Sequence, residues 1–186
     1  MANEVIEDDI DEEGIEQDQY LVFTVKSQEF GIQGLRVQEI TSVLGTTEVP
    51  NAPPYIEGIL NLRGRLASVI NFRRKFGLEP KEHDEDTRII IVEQSGFPIG
   101  IVVDSVEEVI KIPDEKVQEL PESTTTSASE EYMTGVGMLE NRLIILLDVD
   151  KVLTKTELIE ARAISQMMDK AEETAEEAES KKTDDA

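Results

Sequence analysis

The chain carries one ordered set of features twice, which narrows the folds open to it. Setting Leu21 over Ile90 places Gly31 on Gly100 and Ile32 on Ile101. In that register Val37-Gln38-Glu39-Ile40 falls on Val106-Glu107-Glu108-Val109. GILNLRGRLASVINF from Gly58 then overlays GVGMLENRLIILLDV from Gly135, after a connection about eight residues longer in the second half. Gly64 meets Asn141, Arg65-Leu66 meets Arg142-Leu143, and Asn71 meets Asp148. Gly64 and Asn141 are the residue types that best tolerate a positive φ, so both are assigned to hairpin turns. A short helical turn is expected after each hairpin, over Arg73–Phe76 and Asp150–Leu153.

The repeated runs are β-like. Tyr20–Val25 (YLVFTV) and Ile89–Val92 (IIIV) are rich in β-branched and aromatic residues, and each meets a polar break before a returning strand. Closely spaced strands with few long helices favour barrels over a doubly wound sheet. The reading is a mainly β protein built from two copies of one small module, about 20–80 and 87–153. A module of that size is marginal alone, so the two should pack tightly, an arrangement open to strand exchange. GLEPKEHDED, 77–86, reads as the linker between them, and PESTTTSASEE, 121–131, as a mobile loop. From about Thr156 the pattern becomes helical, with Leu158, Ile159, Arg162, Ile164, Met167 and Met168 offered as one docking stripe before an acidic tail to 186.

Charge excludes one class of function. Lys and Arg total 18 against 41 Asp and Glu, a formal charge of −23. Nine of those acids lie in residues 1–19, with no Lys or Arg, and that arm is expected to be disordered and solvated. The cations at Arg63, Arg65, Arg73, Arg74 and Lys75 make too small a patch for nucleic acid in a chain this acidic. With no leader and no long apolar run, neither secretion nor membrane insertion is indicated, and a cytoplasmic protein is expected.

Catalytic candidates are few. Cysteine is absent, and the single histidine, His83, sits in the hydrophilic linker without a second histidine to share a metal. Asp104, Asp148 and Asp150 follow apolar runs, where Asp is usually a turn or capping residue. A metal-dependent β-barrel enzyme is therefore the rival class, and a binding module the favoured one, with no cofactor expected. An Arg held by a carboxylate makes a fixed donor fork, which makes Arg63 the candidate recognition residue.

Four ordered motifs carry a resemblance. NLRG at 61–64 with RLASVINFRRKFG, GIQGLRVQEI at 31–40, IGIVVDSVEEVIKI at 99–112 and YMTGVGMLENRLIILLDVDKVL at 132–153 are similar to the CheW family of chemotaxis coupling proteins. The resemblance runs over the body, taken as 20–155. It implies two packed five-stranded SH3-like β-barrels and a non-catalytic adaptor joining chemoreceptor cytoplasmic tips to a CheA-type histidine kinase through its regulatory domain. It implies recruitment to receptor arrays at the inner face of the membrane. By matched position it places receptor contact on Val37, Glu39, Ile40, Arg63, Val106 and Val109, with Glu39 as the ionic partner of Arg63. Kinase contact falls on the first connector, at Val43, Thr46, Val49 and Asn51. Arg73, Arg74 and Lys75 are then left as solvated flanking charge. The alternative under the same resemblance is a coupler of a related chemosensory pathway serving motility or development. The chain departs from the family's usual pattern at Ser68 and Asn71.

Overall fold

The computed structural model describes residues 17–119 and 132–183; the N-terminal arm before residue 17 and the loop 121–131 lie outside the described residues. The elements are β1 (Gln19–Val25), β2 (Gln28–Gln33), β3 (Val37–Thr41), β4 (Ile56–Leu62), β5 (Arg65–Asn71), the one-turn helix α1 (Phe72–Lys75), β6 (Arg88–Gln94), β7 (Phe97–Val103), β8 (Ser105–Lys111), the two-residue β9 (Val117–Gln118), β10 (Met133–Leu139), β11 (Arg142–Leu147) and the long helix α2 (Lys155–Thr183).

Three hairpins close through two-residue turns with both central residues at positive φ. These are Lys26-Ser27 (+50° and +63°), Arg63-Gly64 (+51° and +92°) and Ser95-Gly96 (+52° and +78°). Turns of this hand match the twist of the strands they join. In the fourth hairpin the positive φ falls on Glu140 (+20°), and Asn141 is not among the positive-φ residues. Asn141 thus lies in the turn as assigned, beside Glu140 and between the paired Leu139 and Arg142, but without the positive φ expected of it, since an Asn can supply a polar turn without a left-handed backbone.

The sheets do not follow the repeats. One sheet has the order β8-β1-β2-β11-β10-β9 and the other β3-β6-β7-β5-β4. Hairpin β1–β2 of the first repeat thus sits among second-repeat strands, and hairpin β6–β7 of the second sits among first-repeat strands. Of the four joins this creates between repeats, β1 with β8 and β3 with β6 are antiparallel, and β2 with β11 and β5 with β7 are parallel. Among the described residues no closed barrel is found. In the five-stranded sheet β3 and β4 remain opposite edges, and the connector after β3 meets β4 through an isolated bridge from Thr47 to Ile59. The connector there holds Pro50, Pro53 and Pro54, which lack the amide hydrogens to extend a ladder.

Strand alternation builds three apolar layers. Leu21, Phe23, Val25, Ile90, Val92, Ile99 and Ile101 meet in the central core between the sheets. Their intervening neighbours turn the other way: Val22 joins Ile112, Ile144 and Leu146, while Ile89 and Ile91 join Leu60, Val69 and Val102. These strands are therefore apolar on both faces, as their unbroken IIIV-type runs require. Gly31 and Gly100 occupy matched positions where an added Cβ would lie 3.0 Å from Leu146 and 2.7 Å from Ile89 respectively, so the second is the tighter of the two.

The C-terminal helix corrects the expected stripe. Leu158, Ala161 and Ser165 are buried, whereas Ile159 and Met167 are 68% and 69% exposed. The docking face follows i, i+3 and i+7 spacing, and one residue's step of rotation carries Ile159 out of it. The helix also runs on through the acidic tail to Thr183, a stretch of Ala, Glu and Lys with high helix propensity.

Candidate functional site

The repeated V-x-E-[I/V] motif lies on two sheet edges, β3 in one sheet and β8 in the other. Each strand carries an irregularity at the same place. The β3–β6 register shifts between Val37 and Glu39, and the β1–β8 register shifts where Glu108 gives way to Val106. Gln38 and Glu107, the second letters of the motif, are the extra residues. A bulge re-aims the side chains that follow it. Val37 and Val106 stay half-buried against the central core, while Ile40 and Val109 are 41% and 55% exposed. Each edge thus presents one anchored and one free apolar side chain flanking an exposed Glu.

Arg63 stands exposed at the β4–β5 turn. The expected Arg63–Glu39 ion pair is absent among the described residues. The reason is topological: Glu39 is on one edge strand of the five-stranded sheet, and Arg63 caps the other edge. The second repeat differs. Glu108 accepts from Arg142 Nη1 at 2.7 Å, and the same guanidinium grips Glu29 through Nη2 at 2.6 Å and Nε at 3.1 Å. The carboxylate motif is tied down there and left free in the first repeat.

The connector residues behave unequally. Val43 packs against the Leu60–Val69 core, and Val49 is half-buried. The Thr46 hydroxyl is buried without a partner, and Asn51 is exposed at φ +61°. Thr47 exchanges two 2.8 Å backbone hydrogen bonds with Ile59 and fixes the connector on β4. Gly58 makes that approach possible, since an added Cβ would stand 2.3 Å from the Thr47 carbonyl oxygen. Sequence reading missed Leu44, which is 83% exposed between the fixed Val43 and Thr47. Its signal was available, an apolar residue in a Pro- and Thr-rich connector, but no periodicity marked its direction.

The basic foot is not free charge. Arg73 donates from Nε (2.9 Å) and Nη2 (2.5 Å) to the Asp104 carboxylate, and Lys75 Nζ reaches Glu157 at 2.6 Å. These side chains are 14–19% exposed, so both pairs are internal ties rather than solvated flanks. Only Arg74 is exposed, above an Asn71 side chain that caps α1. Burial alone would push the Asp104 carboxyl up. The Arg73 fork and the Lys26 amide outweigh burial and hold it below the usual Asp range. His83 of the linker lies on Glu57, whose second oxygen accepts from Asn71 at 3.0 Å. Asp148 caps the turn after β11 through the Asp150 amide at 2.9 Å, the counterpart of Asn71 in the first repeat. Asp150 meets Arg36, so none of the three Asp candidates stands free for catalysis.

The family described as CheW-like domain matches residues 19–157. The chain is 38% identical over 140 residues to the chemotaxis protein CheW of Klebsiella aerogenes, covering 75% of this chain and 84% of the relative. It is 32% identical over 137 residues to CheW of Helicobacter pylori, covering 74% and 82%. The scaffolding protein TtCheW from Thermoanaerobacter tengcongensis superposes with a TM-score of 0.68 at 30% identity, covering 74% of this chain and 88% of that one. With a matched family domain across three-quarters of its length and the same two-sheet architecture, the chain belongs to the CheW family.

Proposed function

We propose that this protein is a non-catalytic adaptor of chemotaxis signalling, joining a helical chemoreceptor tip to the regulatory domain of a CheA-type histidine kinase. The observation that carries the reading is the paired set of bulged edge strands, which present Val37, Glu39, Ile40 and Val106, Val109 in like manner on the two sheets. A helix face offers apolar side chains at i, i+3 and i+4, and exposed apolar residues flanked by carboxylates suit it. Arg63 contributes a guanidinium that has no ion pair among the described residues and suits a carboxylate on the receptor. Kinase contact is assigned to the connector, with Leu44 added to Val43, Thr46, Val49 and Asn51 as its apolar point. Each sheet carries an outer apolar layer of its own, which supports an SH3-like reading of the two halves. Among the described residues no helix is long and apolar enough to cross a membrane. Recruitment to receptor arrays follows, on this reading, from partner binding.

The test is co-purification of the full chain with a receptor cytoplasmic-tip fragment and with the kinase regulatory domain, wild type beside Arg63→Ala. Wild type is expected to retain both partners, and the variant to lose mainly the receptor. Retention of neither by wild type would overturn the adaptor reading.

A further inference from the structure

Helix α2 begins at Lys155, so almost all of it lies beyond the family match ending at residue 157. It is nevertheless built into the sheet that ends in the Arg63 turn. Ser68, at the middle of β5, is fully buried, and its hydroxyl donates to the Ala161 carbonyl oxygen at 2.8 Å. The same hydroxyl lies 3.0 Å from that of Ser165, also buried. One turn earlier, Tyr55 donates to Glu160 at 2.8 Å and Lys75 pairs with Glu157. Arg162 stands 5.9 Å over the Phe97 ring, at the start of β7. Beyond this the helix passes the hairpin tips. An open cleft of about 240 Å³ has Gly64, Arg65 and Leu66 on one side and Ser165, Gln166 and Asp169 on the other.

The β4–β5 hairpin needs such support. Among the described residues β4 is an edge strand paired with β5 and with Thr47 of the connector, so the tip has no ladder on its outer side. The turn itself is exposed and is held locally by Asn61, whose Oδ1 accepts from the Gly64 amide at 2.9 Å, while an added Cβ at Gly64 would touch nothing within 4 Å. The buried polar contact nearest the tip from outside the sheet is the Ser68–Ser165 pair. Buried hydroxyls that satisfy each other fix geometry, because sliding the helix would leave both unpaired.

We infer that α2 is a splint for the Arg63 turn, with Ser68 and Ser165 as positioning residues that hold the recognition guanidinium in place. This rests on the receptor reading of Arg63, while the mechanical part stands apart from it. The helix thereby makes receptor affinity depend on a segment outside the shared family domain.

The experiment uses the full chain carrying Ser68→Ala with Ser165→Ala, measured beside wild type and Arg63→Ala. Amide hydrogen exchange is followed at residues 62–66 and, as control, at Val22 and Ile145. Binding is measured to the receptor-tip fragment and to the kinase regulatory domain. Expected are roughly tenfold faster exchange at 62–66 with the controls unchanged, and a several-fold loss of receptor affinity with kinase affinity retained. Unchanged exchange at 62–66, or equal acceleration at the controls, overturns the splint. If exchange rises locally while Arg63→Ala binds receptor as wild type does, the splint stands and the receptor reading of Arg63 fails. A second variant, Ser165→Thr, keeps the hydroxyl and should show the wild-type exchange pattern; faster exchange at 62–66 in it as well would overturn the hydroxyl pair as the positioning contact.

Discussion

Arg63 occupies a backbone conformation that side chains with a Cβ adopt at a cost, at φ +51°, and among the described residues makes no ion pair that would offset it. That combination separates its value for folding from its value for recognition. Replacing it with Gly should stabilise the protein by about 0.5–1 kcal/mol, since glycine accepts this region freely. The same Arg63→Gly variant should lose receptor binding as Arg63→Ala does, and a paired thermal melt and binding titration checks both. Its neighbour behaves oppositely, because Gly64→Ala meets open space but a φ of +92°, costing about 1–2 kcal/mol by melting. Asp104 gives a pH prediction. Its folded carboxyl titrates below its unfolded value, so its contribution is present above the ordinary Asp range and fades as pH falls through the folded value. Asp104→Asn should therefore cost about 2 kcal/mol near neutral pH, and the gap to wild type should close below about pH 4 in urea titrations. At this scale the sequence was readable where chemistry is local. Gly64 announces its turn, and Asp148 its capping role. It was opaque where a partner comes from a distant strand, as with Arg73 meeting Asp104 and Arg63 missing Glu39.

Elements carry the clearest trace of duplication. The matched glycines, the matched caps and the matched bulges all fall where the two halves overlay, although few residues are identical. What one sequence could not display is the bulge itself. V-x-E-[I/V] reads as plain alternation, and only the pairing with β6 and β1 shows that its second residue is the inserted one. Helix α2 is the reverse case: its existence was legible from spacing, yet its buried face turned on Ala161 and Ser165, small residues that hydrophobicity does not mark. Gly58 tests the connector at this scale. Its substitution by Ala forces a Cβ against the Thr47 carbonyl oxygen, and should cost more than Gly64→Ala, about 2–3 kcal/mol by chemical denaturation. An equal or smaller cost would show that the Thr47 bridge gives way readily.

At the scale of the whole molecule, the exchange of hairpins makes the two repeats inseparable. The central core draws on β1 and β2 from one half and β6 and β7 from the other, and each sheet loses inner strands if either half opens. Heat should therefore produce a single cooperative transition, with calorimetric and van't Hoff enthalpies in agreement, and two resolved transitions would contradict the shared core. The charge imbalance, the mainly β character and the two-part construction were all visible in the chain. The closed barrels were not borne out, because strand counts say nothing about which edges meet. The same interlock has a use outside signalling. A cut within residues 77–86 would leave two pieces, each missing a hairpin that only the other can supply. Such pieces should find and complete one another in solution, which makes the linker a natural site for a split reporter whose signal is reassembly.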